Sequence, residues 1–272
     1  MLVFPHAKVN VGLRVLHKRP DGFHDISSVM LPIPLHDVLE AVVDMGMPDG
    51  EVSFVRTGSA VPGDTADDLC LKAVEAVREF RELPGLRIHL HKTIPAGAGL
   101  GGGSSDAAHM LLLLNKLLEL RLAPTELDEM ASGLGSDCTF FLHHGAQLAE
   151  GRGEKLLPIT LDLRGNWMVL IAPGIHAPTP LAYAQCKPTG AKLDTKLLEQ
   201  PTSKWQDLVL NDLEPAVFDR HPELAELKRA LLNEGAAYAS MSGSGSSVYG
   251  IFSKKPIPRN YPEGYQSWVL PL

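Results

Sequence analysis

The residues with the clearest chemical meaning form a glycine-rich segment, which reads PAGAGLGGGSSD from Pro95 to Asp106. Five of the seven residues from 97 to 103 are glycine, so few side chains would keep a bound group away from the main chain. The segment lies between a strand-like and a helix-like pattern, and a helix N-terminus offers unpaired N–H groups and a positive dipole end. Together these features predict a phosphate-binding loop.

Three other interpretations of this segment are weaker. It is not a P-loop, because no Gly-Lys-Ser/Thr follows. The spacing of Gly97, Gly99 and Gly102 matches GxGxxG, but a dinucleotide-binding fold needs a second strand after the helix, and here another helix-like pattern follows. A flexible linker would not be bracketed so closely by a strand and a helix. The predicted nucleotide-binding residues are Pro95, Ala96, Gly97, Ala98, Gly99, Leu100, Gly101, Gly102, Gly103, Ser104 and Ser105.

Two alternating patterns predict strands that position candidate residues. Apolar side chains at every second residue from Val9 to Val15 indicate a half-buried strand with Lys8, Asn10 and Gly12 on the face away from the core. Gly12 would leave that face open to a ligand or another backbone segment. A second alternating strand is predicted over residues 86–91, and further strands over residues 167–172 and 248–252.

Helix signals surround the glycine-rich segment and recur near the C-terminus. One helix is predicted from a cap at Asp64 or Thr65 to about residue 80, and the next from Ser104 or Ser105 to about residue 120, with the serines as caps. A shorter helix would end near residue 133. A fourth opens at Pro222 and stops at Gly235.

Composition limits the protein class. With 272 residues, 44% of them hydrophobic, the chain can bury the core of two domains or one large one. The 25 basic residues against 32 acidic ones give a net charge of −7, which disfavours general nucleic-acid binding. Three isolated cysteines and the absence of a signal-peptide or membrane-span pattern lead us to expect a cytoplasmic protein with neither membrane nor nucleic-acid partner.

Three segments, in order along the chain, resemble the motifs of the GHMP small-molecule kinases, the family named for galactokinase, homoserine kinase, mevalonate kinase and phosphomevalonate kinase. They are AKVN at residues 7–10, PAGAGLGGGSSDA at residues 95–107 and MSGSGSS at residues 241–247. The resemblance implies an α+β fold with two domains. Residues 1–158 would form a domain like the second domain of ribosomal protein S5, and residues 159–272 a ferredoxin-like domain.

Three further segments resemble one branch of that family, which uses ATP to phosphorylate the 2-hydroxyl of a cytidyl diphosphate sugar alcohol in non-mevalonate isoprenoid precursor biosynthesis. They read RPDGFH at residues 19–24, LGSDCTFF at residues 134–141 and EGRGE at residues 150–154. The chain has His6 and Thr139 where proline is common in the branch, and Phe23 where tyrosine is common. None of these changes removes a reactive group, although Phe23 offers no phenol hydroxyl to a substrate.

The resemblance also implies residue roles. Asp137 would orient or deprotonate the acceptor hydroxyl, and Lys8 would neutralise charge in the transition state. Mg²⁺ would be bound mainly through the nucleotide phosphates, with no protein metal ligand assigned, and the protein would be a monomer or weak homodimer. The substrate-binding residues would be Asn10, Phe23, His24, Gly243 and Ser244.

Without the resemblance, each of these residues has a simpler interpretation. A lysine on the polar face of a strand is usually solvated, an aspartate after Leu-Gly-Ser usually caps a turn or helix, and Phe23 could pack into the core. Three other functions remain open at this point: another GHMP kinase acting on mevalonate or homoserine, a nicotinamide-dependent oxidoreductase, and a nucleic-acid-binding module.

Overall fold

A computed structural model describes all 272 residues of the chain, which forms three four-stranded sheets with helices packed on them. The strands, in chain order, are β1 (Leu2–Val3), β2 (His6–Lys18), β3 (His24–His36), β4 (Val38–Val43), β5 (Val52–Gly58), β6 (Leu86–Lys92), β7 (Gln147–Gly151), β8 (Lys155–Pro158), β9 (Trp167–Ala172), β10 (Tyr238–Met241), β11 (Val248–Phe252) and β12 (Gln266–Pro271).

Six α-helices and four short 3₁₀ helices complete the fold. The 3₁₀ helices cover Thr65–Asp67, Thr139–Leu142, Thr195–Glu199 and Thr202–Lys204. The α-helices are α1 (Leu69–Arg78), α2 (Gly102–Leu117), α3 (Pro124–Leu134), α4 (Thr179–Gln185), α5 (Glu214–Arg220) and α6 (Pro222–Asn233). None of the helices combines the length and apolarity needed to cross a bilayer.

The chain divides into two compact units that interleave in sequence. Unit 1 consists of Met1–Ala7, Leu35–Ala96 and Gly101–His144, and unit 2 of Lys8–Pro34, Gly97–Leu100 and Gly145–Leu272. Strands β2 and β3 carry residues 8–34 into unit 2, because they pair with later strands there. The division of the sequence into two domains, residues 1–158 and 159–272, stays a prediction. The two units instead describe which segments of the chain pack together.

Unit 1 contains the sheet of order β1-β4-β6-β5, in which β5 and β6 are parallel and the other pairs antiparallel. Strand β6 alternates as predicted, with Leu86, Ile88 and Leu90 buried. Helices α1, α2 and α3 pack against one another, and their apolar side chains form one core with those of the sheet.

Unit 2 contains two sheets, of orders β2-β3-β7-β8 and β10-β11-β9-β12. Strands β9 and β11 cover the predicted ranges and pair antiparallel. Helix α6 runs from Pro222 to Asn233 as predicted and packs on β10 and β11. Its apolar side chains join the core of that sheet.

Strand β2 is confirmed, but the prediction that one of its faces lies away from the core is wrong. Lys8 is 4% and Asn10 3% exposed. A Cβ added at Gly12 would lie 3.0 Å from a Val209 methyl and 3.1 Å from a Leu193 methyl, so this glycine accommodates side chains of unit 2 rather than a ligand. The second face of β2 is thus covered by residues that lie almost two hundred positions later in the sequence.

The starts of two helices also differ from the predictions. Helix α1 is capped by Asp68, whose carboxylate accepts from Cys70 N, because Thr65–Asp67 forms a separate 3₁₀ turn. Helix α2 starts at Gly102, after the left-handed Gly101. Ser104 and Ser105 therefore lie inside the first turn and do not cap it. The succession of α2 and α3 without an intervening strand excludes the dinucleotide-binding topology.

Candidate active site

The first motif, at residues 7–10, lies on β2, where a chain of hydrogen bonds connects buried polar side chains. Lys8 Nζ donates to Asn10 Oδ1 at 2.7 Å, and Asn10 Nδ2 donates to Ser28 Oγ at 2.8 Å. The Ser28 hydroxyl in turn donates to the Gly12 carbonyl at 2.7 Å. These bonds fix the orientation of the Asn10 amide and hold the Lys8 ammonium, because a buried polar network with every member bonded favours one arrangement.

The glycine-rich loop has left-handed backbone at every second residue. Gly97, Gly99 and Gly101 have φ values of +65°, +77° and +71°, a region that L side chains rarely adopt. Helix α2, which is sixteen residues long, follows directly, so the loop ends at the N-terminus of a helix. Recurrent left-handed residues before a helix N-terminus form the kind of backbone concavity that binds anions.

The third motif packs directly on this loop. The Ser242 hydroxyl donates to the Gly99 carbonyl at 2.8 Å, and Ser247 N donates to the Ala98 carbonyl at 3.1 Å. The same Ser242 Oγ accepts from Asn10 N at 3.3 Å. One hydroxyl therefore joins segments of all three motifs within unit 2.

Gly243 and Ser244, both predicted to contact substrate, lie at the turn of the third motif. Gly243 is left-handed at φ +58°, and a Cβ there would be 3.2 Å from Asn10 Oδ1. The Ser244 hydroxyl is 2.7 Å from that of Thr179. The turn is thus close to the first motif, and the substrate contacts themselves stay a prediction.

Asn211 holds the third motif in place, a role that we did not assign from the sequence. Its Nδ2 donates to the carbonyls of Met241 and Gly243 at 2.9 Å each, while its Oδ1 accepts from Leu213 N at 3.0 Å. Asn211 is 4% exposed, so its amide is satisfied entirely inside the protein. The only sequence signal was a polar pair, Asn-Asp, after an apolar run.

Phe23 and His24 lie side by side in unit 2. Phe23 is 52% exposed, which excludes a role in the core, and the Arg152 guanidinium lies 4.0 Å from the centre of its ring. The His24 ring stacks on Tyr183, with ring centres 5.2 Å apart. Partial burial and the charge of Lys18 lower the pKa of His24, which favours the neutral imidazole. Tyr183 was missed because only the fold brings α4 beside β3.

Asp137 lies in unit 1, in the turn between α3 and the 3₁₀ helix Thr139–Leu142. Cys138 N donates to the Gly135 carbonyl at 3.1 Å and closes this turn. The aspartate is half-buried. Lys8 belongs to unit 2, and the joint action of the two residues stays a prediction.

A buried ionic cluster in unit 1, made of Lys92, Asp37 and Asp106, adjoins the start of α2. Lys92 Nζ bonds to a carboxylate oxygen of both aspartates, and Asp37 also accepts from Ile94 N at 2.8 Å. Burial raises the pKa of Asp106 to about 8, and the neighbouring Asp37 adds to the shift while Lys92 opposes it. Because one ammonium faces two carboxyl groups, retaining a proton on Asp106 leaves the cluster neutral.

We did not predict this cluster, although the sequence contained a signal for it. Lys92 continues the alternation Leu86, Ile88, Leu90 and therefore falls on the buried face of β6. A lysine on that face needs buried carboxylate partners, since an unpaired charge in the core is costly.

The described residues do not form a protein-held metal site. No group of three or more His, Cys, Asp or Glu side chains is arranged to hold a metal ion. Near the loop, Asp106 Oδ2 is bonded to Lys92, and the Ser105 hydroxyl is 3.3 Å from His109 Nδ1. Burial lowers the pKa of His109 to about 4, so this histidine is a neutral packing group at pH 7.

Comparison with known proteins defines the family. The protein-family model described as GHMP kinases N terminal domain matches residues 68–145, and the one described as GHMP kinases C terminal matches residues 193–260. The chain therefore belongs to the GHMP kinase family. The predicted family and its two-domain α+β fold are confirmed.

Individual relatives narrow the comparison. The chain is 45% identical, over the whole of both proteins, to a curated protein of Cytophaga hutchinsonii named 4-diphosphocytidyl-2-C-methyl-D-erythritol kinase. A crystal structure of 4-(cytidine 5'-diphospho)-2C-methyl-D-erythritol kinase superposes with a TM-score of 0.80 at 31% identity, covering 100% of this chain and 99% of the other. A homoserine kinase from Cytophaga hutchinsonii shares the fold at a TM-score of 0.71 and 16% identity, with 99% of this chain and 94% of the other covered.

Proposed function

We propose that this protein transfers the γ-phosphoryl group of ATP to the 2-hydroxyl of 4-diphosphocytidyl-2-C-methyl-D-erythritol, a step in non-mevalonate isoprenoid precursor biosynthesis. The observation that carries the proposal is the contact of the three motif segments through Ser242 in unit 2. The acceptor is taken from the relatives, because the chain matches proteins of that printed name over their full length.

The chemistry divides among the candidate residues. Phosphoryl transfer depends mainly on positioning and on stabilising the charge that spreads over the transferred group. In our proposal the loop from Pro95 to Ser105 binds the triphosphate through backbone N–H groups. Lys8, held by Asn10, neutralises developing charge, and Asp137 orients the acceptor hydroxyl or accepts its proton.

The acceptor end would be bound by unit 2. The exposed ring of Phe23 offers a face on which cytosine can stack, and His24 offers a ring nitrogen to the cytosine edge. Asn10, Gly243 and Ser244 would contact the sugar alcohol or its phosphate.

Magnesium is expected to accompany ATP, bound by the nucleotide phosphates rather than by side chains of this chain. We place the reaction in the cytoplasm, where ATP is supplied and where the three free cysteines would stay reduced. The expected monomer or weak homodimer stays a prediction.

A coupled assay of ATP consumption with three acceptors tests the proposal. The purified protein is supplied with the cytidyl diphosphate sugar alcohol, mevalonate or homoserine, each at the same concentration. We expect turnover with the cytidyl acceptor alone, and a phosphorylated product from it by mass spectrometry. Turnover with mevalonate or homoserine and none with the cytidyl acceptor would reject the proposed substrate while leaving the family assignment intact.

A further inference from the structure

The turn that carries Phe23 is fixed by its own hydrogen bonds. Arg19 N donates to the Phe23 carbonyl at 2.8 Å, and Phe23 N donates to Asp21 Oδ1 at 3.1 Å. The Arg19 guanidinium reaches both Asp21, at 3.0 Å, and Asp25, at 2.8 Å. The backbone of Phe23 is therefore held, but these contacts leave the direction of its ring undetermined.

The turn that carries Arg152 is fixed as well, and it lies beside the first. Strand β7 pairs with β3 so that Gly151 is opposite Ile26. Arg152 N donates to a Glu154 carboxylate oxygen at 2.6 Å, and Gly153 N donates to the Glu150 carbonyl at 3.1 Å. The strand register thus brings the Arg152 side chain next to the tip of the β2–β3 hairpin.

The guanidinium lies over one face of the aromatic ring. Arg152 Cζ is 4.0 Å from the centre of the Phe23 ring, well within cation–π distance. Phe23 has no hydroxyl with which to anchor its ring by a hydrogen bond. About half of its surface is still exposed, so a planar group can reach the ring.

We propose that Arg152 is a positioning residue for the nucleoside end of the acceptor: it covers one face of Phe23 and holds the ring so that the opposite face stacks on the pyrimidine. This inference rests on the proposed function, since it concerns how the same acceptor is bound. It gives the turn Gly151–Glu154 a role in binding the acceptor.

Kinetic constants of single variants test the positioning role. Arg152→Gln should raise KM for the cytidyl acceptor about two- to fivefold, because a ring no longer held by the cation–π contact must be ordered when the acceptor binds. kcat and KM for ATP should stay unchanged. Arg152→Lys keeps a cation and should retain most of the affinity. Arg164→Gln is the matched control, because Arg164 is an exposed arginine in the same unit, paired with Asp162.

A double-mutant cycle separates this role from a direct contact with the substrate phosphates. Phe23→Leu should raise KM for the acceptor about fivefold or more, by loss of stacking. If Arg152 acts through the ring, Arg152→Gln should add no further rise in the Phe23→Leu background. The same fold-change in both backgrounds would overturn the proposal, as would an Arg152→Gln variant that behaves like Arg164→Gln.

Two further measurements keep the outcomes distinct. Thermal unfolding of each variant should match the unsubstituted protein, because both side chains are exposed; equal melting temperatures with a changed KM support the positioning role. If the unsubstituted protein does not phosphorylate the cytidyl acceptor, the proposed function fails and the inference with it. If it does, while KM is insensitive to Arg152, the inference alone fails.

Discussion

The hydroxyl of Ser242 connects three segments of the chain, so small substitutions beside it should have large effects. It accepts from Asn10 N and donates to the Gly99 carbonyl, so the strand with Lys8, the glycine-rich loop and the third motif share one atom. Close approach of backbones makes this possible, and it depends on the absence of a side chain at Gly99.

Substituting Gly99 by alanine should therefore damage nucleotide binding far more than the same change at Gly97. Both residues are left-handed, with φ values of +77° and +65°, so both variants carry a similar backbone strain of about 1 kcal/mol. Only at Gly99 would the new Cβ collide, 2.2 Å from the Ser242 carbonyl oxygen, whereas nothing lies within 4 Å at Gly97.

We expect Gly99→Ala to raise KM for ATP at least about tenfold or to unfold at a lower temperature, because the third motif must move away from the loop. Gly97→Ala should show only the cost of strain. Steady-state kinetics with varied ATP, together with thermal unfolding, measures both effects. Equal behaviour of the two variants would contradict the packing argument.

Loss of either proposed catalytic side chain should lower turnover rather than binding. Lys8→Ala and Asp137→Asn should each reduce kcat roughly 10²–10⁴-fold, a range that includes the loss of a charge-stabilising donor and the loss of an acid–base group. Asp137→Asn preserves shape, so it should fold normally. Circular dichroism and melting temperature must accompany Lys8→Ala, because it leaves Asn10 Oδ1 without its donor. A folded variant of either kind with near-normal turnover would reject the assigned role.

At the scale of single elements, the 3₁₀ helix Thr139–Leu142 contains an unsatisfied group. Thr139 is buried, and its hydroxyl oxygen has no hydrogen-bond partner. A buried hydroxyl without a partner costs roughly 1–3 kcal/mol.

Thr139→Val should therefore raise the free energy of unfolding by about 1 kcal/mol, because a methyl group replaces the unpaired hydroxyl at nearly the same volume. Thr57→Val is the matched control, since the Thr57 hydroxyl bonds to His89 and His91 at 2.8 and 2.9 Å on the surface. Urea denaturation should show a gain in stability for the first variant and none for the second. A loss at Thr139 would show that the hydroxyl makes a stabilising contact.

Element boundaries were the least predictable features at this scale. The periodicity of apolar residues located α2, but its start was decided by Gly101 in a left-handed conformation rather than by a serine cap. Similarly, Asp68 rather than Asp64 caps α1, because a 3₁₀ turn intervenes. Near the start of each of these two helices, several residues could have been the N-cap, and the conformation of the preceding chain determines which one is.

At the scale of the whole molecule, the cluster of Lys92, Asp37 and Asp106 should make stability depend on pH. Burial raises the pKa of Asp106 from 3.8 to about 8 in the folded protein. Between these two values the folded state binds more protons at this group than the unfolded state does. The contribution of Asp106 to the free energy of unfolding is therefore full below about pH 4 and is lost as the pH rises towards 8.

We expect Asp106→Asn to remove this part of the pH dependence, because the amide stays neutral at every pH. Urea denaturation of both proteins between pH 4 and pH 9 measures the effect: the stability of the variant relative to the unsubstituted protein should increase with pH across this window. A constant difference would mean that the carboxyl group titrates normally. Glu263→Gln, in an exposed loop, controls for general loss of a negative charge.

The sequence alone determined the local and the chemical features of this protein. Alternation located β2 and β6, the glycine-rich segment between a strand and a helix predicted a phosphate-binding loop, and three ordered motifs predicted the kinase family that the comparisons confirmed. These features depend on side-chain type and short spacing, which can be examined in the sequence directly.

Only the tertiary structure decided which distant residues meet. Ser242 and Gly99 are separated by 143 positions, and nothing in either segment specifies that a hydroxyl and a carbonyl will lie 2.8 Å apart. For the same reason the polar face of β2 proved buried, and Arg152 was brought over Phe23 by the register of β7 on β3. Contacts of this kind depend on how strands pair and how the chain covers them, a property of the folded whole rather than of any one segment.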